Sequence, residues 1–184
     1  IHAPLPILLF CLFKNNKVQH TCQSNCMKSS IIYYGIIPLG GSKMNDYIIN
    51  FLKEIMAIDS PSGYTKEVIH HCQKEAENLG FHTHQTNKGN LEIYVEGQDD
   101  YTVGFCGHVD TLGLMVRSIK SDGTLAFTNV GGPIIPTLDG EYCRIHTRSG
   151  KCYTGTILSN YPAVHVYKDA KSAPRDCENM HVRI

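Results

Sequence analysis

The run Val103 to Val116, VGFCGHVDTLGLMV, constrains this chain more than any other stretch. Val103 and Phe105, with small Gly104 and Cys106 around them, read as a strand buried on both faces, the pattern of a parallel sheet. Such a strand delivers His108 and Asp110. Side chains two apart on an extended strand share a side, so the imidazole and the carboxylate are expected to emerge together where the strand ends. In open α/β sheets, ligands bind beyond the carboxyl ends of the strands. A histidine that ligates a metal through one ring nitrogen needs its other nitrogen fixed, and a carboxylate commonly does this. The bland reading is also available, because ten histidines in 184 residues make a chance His-x-Asp easy.

Composition removes several function classes. Seventeen basic and seventeen acidic residues leave a formal charge of zero, so the chain has no electrostatic footprint for nucleic acid and no polybasic membrane patch. No apolar run approaches the roughly 20 residues of a membrane-spanning helix. The eight cysteines are scattered without a C-x-x-C, as expected of reduced thiols in a cytoplasmic protein. His20-x-Cys22-x-x-x-Cys26 resembles half of a zinc knuckle, but no second half follows nearby.

Residues 1–43 differ from the rest. The apolar cluster PLPILLFCLF has no basic segment before it and no clean small-residue cleavage site after it, which argues against a signal peptide. Gly40-Gly41-Ser42-Lys43-Met44 is what in-frame translation of a purine-rich ribosome-binding site and its spacer produces. Met44 is therefore expected to be the true start, and residues 1–43 a non-native, disordered segment.

From Asn45 onward, Ile48, Phe51, Leu52, Ile55 and Met56 recur at helical spacing, with Asn45 or Asp46 at the N-terminus and Ser60-Pro61-Ser62-Gly63 as the stop. Val68, Ile69, Cys72, Ala76 and Leu79 form the stripe of a second helix ended by Gly80, with His70 and His71 solvated on it. Phe81–Thr86 and Leu91–Glu96 alternate about an Asn87-Lys88-Gly89-Asn90 turn, and His82 and His84 fall on a solvent-facing edge. After Asp110 come short strand-like segments, 112–119, 125–130, 141–148 and 152–159, which predict a small β-barrel or sandwich. Residues 160–179 read as a polar loop, and Met180–Ile184 as the beginning of a strand cut at its start, hence a sign of truncation.

Taken in order, these pieces resemble the N-terminal part of the glutamyl, or deblocking, aminopeptidases, dinuclear-metal exopeptidases that form tetrahedral shells. The resemblance rests on Ser60-Pro61-Ser62-Gly63, Thr86-Asn87-Lys88-Gly89-Asn90-Leu91, Gly107-His108-Val109-Asp110-Thr111-Leu112-Gly113, Val130-Gly131-Gly132, and Gly155-Thr156-Ile157 followed by Pro162 and His165. It implies an α/β fold with a phosphorylase/hydrolase-like mixed sheet, interrupted by an inserted small β-barrel. Residues 44–111 would then be part of the catalytic domain, and 112–184 the incomplete insert with the start of the return to that domain. It also implies a cytoplasmic metallo-aminopeptidase acting on short peptides, a tetrahedral dodecamer, and two divalent ions, zinc or cobalt. His108 is then a metal ligand and Asp110 the carboxylate that orients it. The family's bridging Asp, Glu pair, further Asp and late His have no counterparts before Ile184, so a piece ending there is expected to be inactive alone. His165 is expected to be structural or part of a subunit contact, and His146, Arg117 and Arg144 surface positions. Two other readings stay open: a non-catalytic β-barrel module for oligomerisation, and a related dinuclear hydrolase acting on other amides or on polysaccharides.

Overall fold

The computed structural model describes residues 11–15, 41–98 and 101–184. The His20, Cys22 and Cys26 cluster lies outside the described residues. The chain divides into two compact units, Ile1–Thr111 and Leu112–Ile184.

The first unit contains helices α1 (Gly41–Ala57) and α2 (Lys66–Asn78) and a four-stranded mixed sheet. Its strands are β1 (Cys11–Asn15), β2 (His82–Gln85), β3 (Leu91–Gly97) and β4 (Gly104–Phe105), in the order β2-β3-β1-β4. β2 runs antiparallel to β3, β1 parallel to β3, and β4 antiparallel to β1. The helix begins at Gly41, so Asn45 and Asp46 lie inside it and not at its cap.

The core of this unit joins Ile55 of α1, Val68, Cys72 and Ala76 of α2, and Leu91 and Ile93 of β3, with Phe51, Leu52, Ile69 and Val109 packed around them. The i, i+4, i+8 spacing of the α2 trio gives one buried stripe, and the i, i+2 spacing of the β3 pair gives one buried face. Ile48 and Met56 stay exposed. Burial pushes the Cys72 thiol up to about 11, so it remains protonated and packs as a small apolar side chain.

The strand before His108 departs from expectation. β4 makes two ladder pairs with β1, and it runs antiparallel. Val103 and Phe105 are exposed. The reason is where the cover lies: α2 packs on β3 and α1 on α2, and no β4 residue enters the buried core.

In the second unit five antiparallel strands stand in the order β5-β6-β9-β8-β7. They are β5 (Gly113–Ile119), β6 (Leu125–Val130), β7 (Tyr142–His146), β8 (Cys152–Ser159) and β9 (Met180–Arg183). Leu125 and Phe127, and Met180 and Val182, each pair two apart on its strand, build a core with Ile157 on one face of this sheet, and Ala126 between the first pair is buried as well. Far from being a loose beginning, β9 sits at the centre of the sheet, between β6 and β8. At Gly155 an added Cβ would come within 2.7 Å of Val182 and 2.8 Å of Ile145, so the middle of β8 is held to glycine by its neighbours. A bulge between Val116 and Ser118 sets Arg117 out of the ladder, and its guanidinium pairs with Glu178. Arg117 is thus the surface position expected, held there by an ion pair.

Candidate functional site

The site is built where α1 gives way to loop. Ser60 is fully buried, and its hydroxyl donates to the Val109 carbonyl at 3.0 Å. The Thr111 amide donates back to the Ser60 carbonyl at 2.8 Å, and Pro61 bridges Thr111 in parallel. Gly63, at φ +88°, then turns the chain away, with the Tyr64 amide donating to the Pro61 carbonyl at 2.7 Å. A glycine there is what a tight turn with a positive φ demands. Two segments far apart in sequence are thereby stitched side by side, Ser60–Ser62 along Val109–Thr111.

This stitching brings the two predicted residues together. His108 Nδ1 lies 2.8 Å from Asp110 Oδ1 and 3.2 Å from the Asp110 carbonyl. The second carboxylate oxygen, Oδ2, accepts a hydrogen bond from the Ser62 hydroxyl. That hydroxyl is the main influence holding the Asp110 carboxyl below its usual range, with His108 assisting and partial burial opposing. An ionised carboxylate only accepts, so the ring nitrogen facing it carries the proton. In the neutral ring this leaves Nε2 with its lone pair, the state a metal ligand needs.

A cavity of about 230 Å³ opens beside the pair. Ser62, His108 and Asp110 line one part of it, Lys88 and Asn90 another, and buried Cys72 contributes from the core. The turn that presents Lys88 and Asn90 is fixed by the Thr86 amide donating to the Asn90 carbonyl at 2.9 Å and the Asn90 amide donating to the Thr86 hydroxyl at 3.1 Å.

The donor set fits one ligand bond to a metal ion, from His108 Nε2. Among the described residues no three His, Cys, Asp or Glu side chains gather closely enough to hold an ion. His82 and His84 are exposed on edge strand β2, and His70 is exposed on α2. His71 rests on the Phe51 ring and lies 3.2 Å from Glu54. His146 and His165 are exposed, and both belong to the second unit. The serines were not legible as site residues. Ser60-Pro61-Ser62-Gly63 reads as a helix stop, and the available signal was only that two hydroxyls two apart share one strand parity with a proline between them.

The profile of the family described as M42 glutamyl aminopeptidase matches residues 89–184, which is 96 of 184 residues. YhfE of Bacillus subtilis (strain 168), named as a candidate aminopeptidase, is 43% identical over 137 residues, covering 74% of this chain and 40% of that protein. The TET aminopeptidase of the marine sediment archaeon Thaumarchaeota archaeon SCGC AB-539-E09 shares the fold with a TM-score of 0.64 at 24% identity, over 76% of this chain and 39% of that one. The TET1 peptidase of Pyrococcus horikoshii, described as able to assemble into a tetrahedron or a large octahedral shell, gives a TM-score of 0.57 at 24% identity, over 74% and 40%. The chain therefore spans about two fifths of the length of these relatives. With more than half of its residues under that profile, the chain belongs to the M42 glutamyl aminopeptidase family.

Proposed function

We propose that the protein carrying this chain is a metal-dependent aminopeptidase that removes N-terminal residues from short peptides. Family membership supports the peptide-hydrolysing activity, and one observation carries the site: the 2.8 Å contact that fixes His108 Nδ1 on Asp110 and leaves Nε2 available. In this reading His108 is the protein ligand contributed by these residues, and Asp110 holds its proton and its orientation. Two divalent ions, zinc or cobalt, supply Lewis acidity toward the scissile carbonyl and a water that ionises near neutral pH when bound. The cavity beside His108 admits the substrate, with Lys88 and Asn90 at its wall.

The same reading places residues 44–111 in the catalytic α/β domain and makes 112–184 part of a small β-barrel inserted into it. It makes the protein a homo-oligomer built as a tetrahedral shell, a form named for the Pyrococcus horikoshii relative. The cytoplasm is the expected compartment. The described cysteines, Cys72, Cys106, Cys143, Cys152 and Cys177, are free thiols, and among the described residues no helix is long and apolar enough to cross a membrane.

The test is hydrolysis of aminoacyl-anilides by the intact protein with zinc or cobalt present. His108→Ala is expected to lower kcat/KM at least a hundredfold, since loss of a mere hydrogen-bond partner of a ligating histidine already costs about 10–100-fold. Activity that survives both a chelator and His108→Ala would overturn the reading. Activity on a glucan in place of the anilides would reassign the protein to a related dinuclear hydrolase.

A further inference from the structure

We propose that Ser62, on the α1–α2 connection, is a positioning residue for His108, acting through Asp110 to select the imidazole tautomer that presents Nε2 to a metal ion. The inference rests on the metal reading above and extends it to a residue far upstream of the His-x-Asp pair.

Asp110 has two oxygens and one soft torsion, and only its Oδ1 faces His108 Nδ1. With Oδ2 unheld, the group can turn edge-on to the ring or swing toward the cavity it borders. The Ser62 hydroxyl takes Oδ2, leaving one carboxylate oxygen committed to each neighbour. Ser62 itself cannot wander. Ser60 beside it is buried and bonded to Val109, Pro61 bridges Thr111, and Gly63 turns the backbone immediately afterwards. The backbone stitches therefore bring Ser62 to Asp110, and the side chain sets the plane of the carboxylate.

Serine and not alanine is required for that, whereas the stitches need only Ser60, Pro61 and Gly63. A structural role and a positioning role thus fall on different residues and can be separated. Asp110 lies about one third exposed and His108 somewhat more, so water competes for Oδ2 as soon as the hydroxyl is removed.

The experiment uses the full chain with 15N-labelled histidine, followed by two-bond proton–nitrogen NMR at about pH 8, above the usual histidine range. His108→Gln assigns the resonances. The wild type is expected to show protonated Nδ1 and unprotonated Nε2, and added Zn²⁺ to shift the Nε2 signal. Ser62→Ala is expected to give a mixture of tautomers and about tenfold weaker Zn²⁺ binding with a melting temperature that falls less than that of Ser60→Ala, and Ser62→Thr to restore the tautomer and the binding. Ser60→Ala is the structural control: it lowers the melting temperature and leaves the folded protein's tautomer as in the wild type. Retention of the wild-type pattern by Ser62→Ala would overturn the proposal, as would a loss of melting temperature matching that of Ser60→Ala. If Zn²⁺ leaves His108 Nε2 unmoved in the wild type, the metal reading fails, while the tautomer difference still decides the role of Ser62.

Discussion

The two units hold their structure by different means. In the second, each central strand is fixed by neighbours on both sides and by one alternating apolar face: Phe127 is 1% exposed, Met180 is 0% and Val182 is 4%. In the first, the segment that carries His108 and Asp110 follows a two-residue exposed strand and is held by Val109 against the core and by a few polar stitches from Ser60, Pro61 and Ser62. A sheet core tolerates no displacement without loss of packing over its whole face. A stitched loop, by contrast, keeps each bond as a separate adjustable element, which suits a place where a histidine must be aimed.

The largest effect expected from this contrast is at Phe127. Phe127→Ala removes a ring from the middle of the alternating face and is expected to cost about 3–5 kcal/mol, with amide exchange protection lost across β6, β9 and β8 together. Urea unfolding read by hydrogen exchange checks it, and a loss confined to β6 would break the claim that the sheet yields as one piece. Ser60→Ala is expected to be smaller, about 1–3 kcal/mol, because the Val109 carbonyl loses the donor that buried Ser60 supplies. Here the exchange change should stay local, centred on the Thr111 amide that bonds Ser60. A global collapse would erase the distinction between core and stitch.

The smallest effect is a pH dependence. Ser62 and His108 hold the Asp110 carboxyl below the unfolded value of about 3.9. Its contribution is therefore complete above that value and is lost as pH falls through the lower folded value. The stability difference between wild type and Asp110→Asn is expected to shrink below about pH 4, where Asp110 itself takes up a proton. A difference that does not shrink below about pH 4 would show that Asp110 is not held as an anion.

The elements that sequence periodicity announces are those with a fixed partner. Val68, Cys72 and Ala76 are buried as their spacing demands, and Leu91 and Ile93 share the predicted face. The segments that follow Asp110 became β5 to β8, since alternation and turn glycines are local signals. Val103 and Phe105 failed the test because an apolar strand says that it needs cover, not which element supplies it. His108 and Asp110 were legible as a pair through their spacing. The hydroxyl that completes the arrangement was not, because nothing local in Ser60-Pro61-Ser62-Gly63 reveals that it will lie along Val109–Thr111. Long-range contacts made by one side chain leave no period to read.

The central place of β9 also sets a timetable. The hairpins β5–β6 and β7–β8 each close over a short turn, an event of about 1–10 microseconds once both strands are free to pair. Among the described strands, β9 is what joins the two hairpins. It follows β8 by a loop that takes about a second or more to synthesise at 5–20 residues per second. Throughout that interval Phe127 and Ile157 lack the cover of Met180 and Val182, and the ladder edges of β6 and β8 lack their partner, so the vulnerable species of this protein is a nascent one.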